Sequence, residues 1–82
     1  MIALTLYSRP GCHLCEEMKA VITRVAQTTP LQLEEIDIST SRELEDRYGL
    51  EIPVLLVAGR KAAKYRIGEE ELRKILAGRA TP

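Results

Sequence analysis

The run Ile2-Ala3-Leu4-Thr5-Leu6-Tyr7 is almost unbroken apolar or β-favouring sequence, and it constrains the fold more than any other stretch of the chain. A strand without polar alternation keeps both faces from water, so it belongs inside a sheet with material on either side. Layered α/β architectures supply that cover, and here they must do so within 82 residues. A chain of this size makes one domain, residues 1–82, and buries only about 60% of the surface its unfolded form exposes. That argues for a compact layered core and against an enzyme with a large dedicated substrate cavity. With neither Trp nor Phe, aliphatic side chains must do most of the packing.

Turn residues follow the first strand at Ser8-Arg9-Pro10-Gly11, and beyond them Leu14, Cys15, Met18, Val21, Ile22, Val25 and Ala26 recur at helical spacing. After a break at Thr28-Thr29-Pro30, Leu31 to Ile38 reads as a strand whose alternation shifts phase at Glu34-Glu35, which predicts a bulge or a late strand start. Thr40 and Glu43 stand as a capping box for a short helix carrying Leu44 and Tyr48, with Gly49 as its stop. Val54 to Ala58 reads as a buried strand, Gly59-Arg60 as a tight turn, and Ala63, Tyr65 and Ile67 as the inward side of an edge strand. Glu69-Glu70-Glu71 then opens a last helix with Leu72, Ile75 and Leu76 on one face and Gly78 as its stop. The order is βαβαββα. A right-handed β-α-β crossover makes the first two strands parallel, and the closing hairpin adds an antiparallel pair. The expected fold is a three-layer α/β/α sandwich around a four-stranded mixed sheet.

Charge narrows the function. Twelve Lys and Arg balance twelve Asp and Glu, so the basic excess that nucleic-acid binding relies on is missing. The basic cluster Arg60, Lys61, Lys64 and Arg66 reads as a solvated strand face that could steer an anionic ligand. The opening apolar run is too short for a signal-peptide core and lacks a leading positive region, so a cytoplasmic protein without a membrane partner is expected.

Chemistry concentrates at Cys12-His13-Leu14-Cys15. Cysteines three apart close too small a loop to stabilise a fold much, whereas residues three apart on a helix lie within reach of a reversible disulfide. At about 100° per residue, Cys15 falls within the apolar stripe, Cys12 just beyond its edge, and His13 on the far side. Cys12 sits at the helix N-terminus with Arg9 nearby, and both lower a thiol pKa. The thiolate is the attacking species, so Cys12 reads as the nucleophile and the shielded Cys15 as the resolving thiol. Other readings are two small hydrophobes at a helix start, or a metal site, for which the chain lacks the four ligands of structural zinc. His13 is either a solvated helix-start residue or an imidazolium that stabilises the thiolate. Ile52-Pro53 precedes a buried strand, where proline is confined to the first position and is a candidate for a cis bond. A cis bond there would turn the Ile52 backbone outward beside the cysteines, toward an extended peptide or glutathione.

The segments Tyr7-Ser8-Arg9-Pro10-Gly11-Cys12-His13-Leu14-Cys15, Tyr48 to Val54 and Ile67-Gly68 resemble the thioredoxin superfamily, specifically its small glutaredoxin-like branch, across essentially the whole chain. The resemblance implies a thioredoxin-like fold, a cis Pro53 facing the dithiol, and thiol–disulfide exchange through Cys12 and Cys15. It places Arg9 where glutaredoxins contact the glycine carboxylate of glutathione, and Gly68 near the docking position of the γ-glutamyl end. His13-Leu14 replaces the Pro-Tyr usual between glutaredoxin cysteines. The partners implied are a disulfide-bearing protein or small molecule, and glutathione or a thioredoxin-reductase-type flavoenzyme as reductant, acting on a monomer with no tightly bound cofactor. Two further roles are an iron–sulfur cluster shared through Cys12 by two chains and two glutathiones, and a non-catalytic thioredoxin-fold interaction partner.

Overall fold

In the computed structural model, which describes residues 1–80, seven main elements alternate along the chain. They are β1 (Ile2–Ser8), α1 (His13–Ala26), β2 (Leu31–Asp37), α2 (Arg42–Tyr48), β3 (Val54–Val57), β4 (Arg60–Lys64) and α3 (Glu69–Ala80). A 3₁₀ turn at Ile38–Thr40 links β2 to α2. The sheet runs β2-β1-β3-β4, with β1 parallel to β2 and antiparallel to β3, and β3 antiparallel to β4. The apolar first strand is therefore paired on both edges, and the sheet is mixed and four-stranded.

Period-2 alternation decides what each face of β1 meets. Leu4, Leu6 and Ser8 are buried and, with Leu55 and Val57 of β3, form the floor on which α1 and α3 pack. Met18, Ile22 and Val25 of α1 and Leu72 and Leu76 of α3 complete this core. Each such side chain contributes about 1.5–3 kcal/mol by leaving water. The opposite face is covered by α2, which is only seven residues long and has no buried residue of its own. It is held at one end of the sheet, where Tyr48 stacks on Tyr7 with ring centroids 4.4 Å apart. Ala3, at the other end of β1, stays exposed, so the cover expected on both faces is complete on one and partial on the other.

Several local details depart from the sequence reading. β2 pairs with β1 in continuous register from Leu31 to Asp37, without a bulge or a late start. Glu35 keeps its place on the α1 face because the Ser8 hydroxyl donates to it at 2.9 Å and the Lys19 ammonium at 3.2 Å. The irregularity in the sheet lies at Leu55/Leu56, where β3 meets β4. Ser41, not Thr40, caps α2, its hydroxyl accepting from the Leu44 N–H at 3.3 Å, because Thr40 is already inside the 3₁₀ turn. The hairpin turns at Ala58-Gly59, both at positive φ (51° and 82°), which moves Arg60 into β4. Tyr65 takes φ 69°, so the chain leaves the sheet after Lys64, and Ile67 is buried from a loop. Gly49 does stop α2, donating to the Glu45 carbonyl at 2.8 Å, where a Cβ would come within 2.5 Å of that oxygen. Gly78 does not stop α3, which continues to Ala80; without a positive φ there, nothing diverts the chain from the helix.

Candidate active site

Arg9-Pro10-Gly11-Cys12 forms the turn that delivers the dithiol. The Cys12 N–H donates to the Arg9 carbonyl at 3.2 Å, and Gly11 takes φ +80°. Proline then glycine at the centre of such a turn is the type II signature, because proline presets φ and glycine enters the left-handed region at no steric cost. The turn places Cys12 as the N-cap of α1, with extended backbone (φ −83°, ψ 108°) and its sulfur accepting from the Cys15 N–H at 3.1 Å. Cys12 and Cys15 are joined by a disulfide, with Cα atoms 5.2 Å apart. Cys12 is half-buried whereas Cys15 is 3% exposed, so a reagent arriving from solvent meets Cys12 first.

Other residues singled out from the sequence lie around this pair. Ile52-Pro53 is a cis peptide bond. Because Val54 pairs with Tyr7 in an antiparallel ladder, Ile52 and Pro53 lie at the end of the sheet from which the Cys12 turn emerges. The Pro53 carbonyl accepts from the Tyr65 N–H at 2.9 Å, while neither the N–H nor the C=O of Ile52 has a hydrogen-bond partner among the described residues. His13 is exposed at the first position of α1, and its Nε2 lies 3.4 Å from Glu17. Gly68 precedes α3 and borders a groove of ≈ 520 Å³ that also takes in Leu14, Met18, Val21 and Ile67. Arg9 is tied to α2: its guanidinium pairs with Glu45 at 2.8 Å, and its buried Nε finds no partner among the described residues.

Sequence reasoning missed the residues that brace the site from a distance. Glu45 holds Arg9 from 36 positions away. Tyr65 locks the loop before β3 by donating its hydroxyl to the Leu50 carbonyl at 2.9 Å, in addition to its backbone bond to Pro53. The left-handed backbone of Tyr65 costs about 1–2 kcal/mol, and the only sequence trace of it was a tyrosine placed where alternation suggested a strand. The Lys61 ammonium, 2.9 Å from Glu51, holds that carboxyl below its usual pKa, and burial raises the Tyr7 phenol. The Ser39 hydroxyl and N–H keep Asp37 low at the end of β2. No group of three or more His, Cys, Asp or Glu converges as a metal site among the described residues, and no helix there is long and apolar enough to cross a membrane.

A Cys-X-X-Cys disulfide opening the helix after the first strand, on a βαβαββα sheet with a cis-proline before β3, defines a member of the thioredoxin superfamily. The fold is similar to that of a mutant thioredoxin from Halobacterium salinarum, at TM-score 0.67 and 20% identity over 94% of this chain and 73% of that one. The X. campestris protein XcR50, solved by X-ray, is nearer: TM-score 0.75 and 32% identity over 92% of this chain and 96% of that one. Residues 3–77 match the family model described as Glutaredoxin-like domain (DUF836), and the chain belongs to that family. It is also 30% identical over 77 residues to the Dictyostelium discoideum "Glutaredoxin-like protein YDR286C homolog", covering 87% of this chain and 71% of that protein.

Proposed function

We propose that the protein is a thiol–disulfide oxidoreductase in which Cys12 is the nucleophile and Cys15 the resolving thiol. The observation that carries this reading is the inequivalence of two cysteines joined in one disulfide: Cys12 half-buried at a helix N-cap, Cys15 buried beneath it. In the reduced protein the Cys12 thiolate is stabilised by the helix N-terminus and by the Cys15 N–H already directed at its sulfur. It attacks one sulfur of a substrate disulfide, forming a mixed disulfide and expelling the first substrate thiolate, which takes up a proton. Cys15 then loses its proton and attacks the Cys12 sulfur. The second substrate thiolate leaves, and the Cys12–Cys15 disulfide closes. Two electrons have passed to the substrate, and the described state is the oxidised product of that cycle.

Two thiol equivalents from glutathione or a thioredoxin-reductase-type flavoenzyme reopen the pair. Arg9 holds Glu45 through one Nη and keeps its other Nη for a glutathione carboxylate, and Gly68 borders the groove beside Leu14. Ile52 offers its unpartnered N–H and C=O to the incoming chain, with Pro53 next to it, and His13 follows the attacking cysteine at the first position of α1. The protein works in this reading as a cytoplasmic monomer without nucleic acid, membrane or resident cofactor. The test is turnover of a peptide disulfide by single-cysteine variants. Cys12→Ser abolishes it, while Cys15→Ser traps a mixed disulfide seen as a mass adduct on Cys12. Wild-type turnover by Cys12→Ser overturns the assignment.

A further inference from the structure

The large hydrophobic side chains left exposed among the described residues are Met1, Leu50 and Tyr65, at 87%, 92% and 42%. Two of the three are adjacent in space, since the Tyr65 hydroxyl donates to the Leu50 carbonyl at 2.9 Å. Leu50 stands two positions before Ile52 and the Tyr65 N–H donates to the Pro53 carbonyl at 2.9 Å, so both adjoin the unpartnered backbone of Ile52. Tyr65 is held at φ 69° to present its ring there, a conformation that a bulky residue keeps only when its surroundings enforce it.

Charge on this surface is mixed, with Lys64 and Arg66 facing solvent beside Glu51 and Glu17. Lys64 makes no ion pair among the described residues; its ammonium lies 5.5 Å from the Tyr65 ring centroid, and the nearby Glu51 carboxylate is already taken by Lys61 at 2.9 Å. Arg66 is 74% exposed and only 3.9 Å from Glu17, which also faces His13 at 3.4 Å. Glu17 is thus shared between Arg66, at the outer limit of an ion pair, and His13, while Lys64 has no carboxylate of its own, so both cations remain open to a ligand.

We propose that Lys64, Tyr65 and Arg66 form a specificity surface that selects extended polypeptide disulfides carrying acidic side chains beside the reacting cysteine. The inference rests on the oxidoreductase reading above and names its substrate class. An extended main chain satisfies the Ile52 N–H and C=O, apolar flanks rest on Leu50 and Tyr65, and Asp or Glu side chains meet Lys64 and Arg66. The formal net charge of the protein is zero, so such a preference is local and does not come from overall attraction.

The test uses two synthetic peptide disulfides of one frame, one with Asp and one with Lys flanking the cysteine, compared by kcat/KM on the same protein. Two exposed ion pairs give the wild type a preference for the Asp peptide of about five- to tenfold at low salt. The preference fades toward unity at about 1 M salt, where the screening length is only ~3 Å. In the Lys64→Glu, Arg66→Glu double variant it inverts. The readout is a ratio of two substrates, so partial loss of folded protein cancels, and if the variant does not fold, the wild-type ratio and its salt dependence decide. Equal turnover of both peptides, or a preference indifferent to salt, overturns the specificity surface and leaves the oxidoreductase reading standing. Turnover of a small disulfide with neither peptide accepted does the same. No turnover of any disulfide overturns both.

Discussion

Replacing Gly11 with Ala tests how the turn positions the nucleophile. Gly11 holds φ +80° between Pro10 and the N-cap Cys12, and a Cβ built there meets nothing within 4 Å. The penalty is therefore one of backbone conformation and not of contact: about 1–2 kcal/mol for an L-residue in the left-handed region. Reduced freedom of the unfolded chain returns about 0.4–1 kcal/mol, leaving a net loss near 1 kcal/mol. With a urea slope of about 1 kcal/mol/M for a chain of this size, the midpoint falls by about 1 M and the slope is unchanged. With no Trp in the chain, far-UV circular dichroism is the readout. Gly78→Ala is the matched comparison, since that glycine lies in α3 without a positive φ and its Cβ also meets nothing within 4 Å. There the substitution stabilises by up to about 1 kcal/mol. Equal effects at the two glycines would refute the account of the turn.

Two further outcomes follow from local geometry and charge. Ala58 takes φ 51° at the first central position of the β3–β4 turn, so Ala58→Gly relieves left-handed strain at the expense of unfolded-state entropy, raising stability by about 0.5–1 kcal/mol in the same urea assay; a fall would contradict the turn assignment. Glu69 accepts from Arg73 and Arg24 at 3.1 and 3.2 Å, which lowers its pKa in the folded state. Its contribution is therefore complete above the ordinary glutamate pKa and is lost as the solution is acidified through the lower folded value. Glu69→Gln flattens that part of the acid stability profile, and a profile identical to wild type would remove Glu69 from the account.

The elements were legible where one local rule decided the outcome. Unbroken apolar sequence marked β1 as a central strand, 3.6-residue spacing marked α1, and Cys-X-X-Cys after a proline–glycine turn marked the dithiol at its start. Details failed where two rules competed or where the partner was far away. Thr40 and Ser41 are both good caps, and the 3₁₀ turn that claims Thr40 depends on Asp37, whose carboxylate accepts from the Ser39 N–H at 2.8 Å. An alanine and a tyrosine at positive φ have no composition signal, so the hairpin turn shifted by one residue and the edge strand was read too long. Glu35 looked like a break in alternation because its satisfaction by Ser8 and Lys19 comes from two other elements. The Glu45 partner of Arg9 carries no sequence signal because their bond spans 36 positions.

The central claim is that Cys12 and Cys15 form a reversible dithiol. Equilibrating the protein in graded glutathione buffers, alkylating free thiols and weighing the products tests it directly. The account predicts a two-electron transition between a form carrying two alkyl groups and one carrying none. It also predicts that Cys12→Ser and Cys15→Ser each abolish the internal disulfide, their remaining cysteine being either alkylated or carrying a glutathione adduct. An intramolecular disulfide that forms at no poise would contradict it.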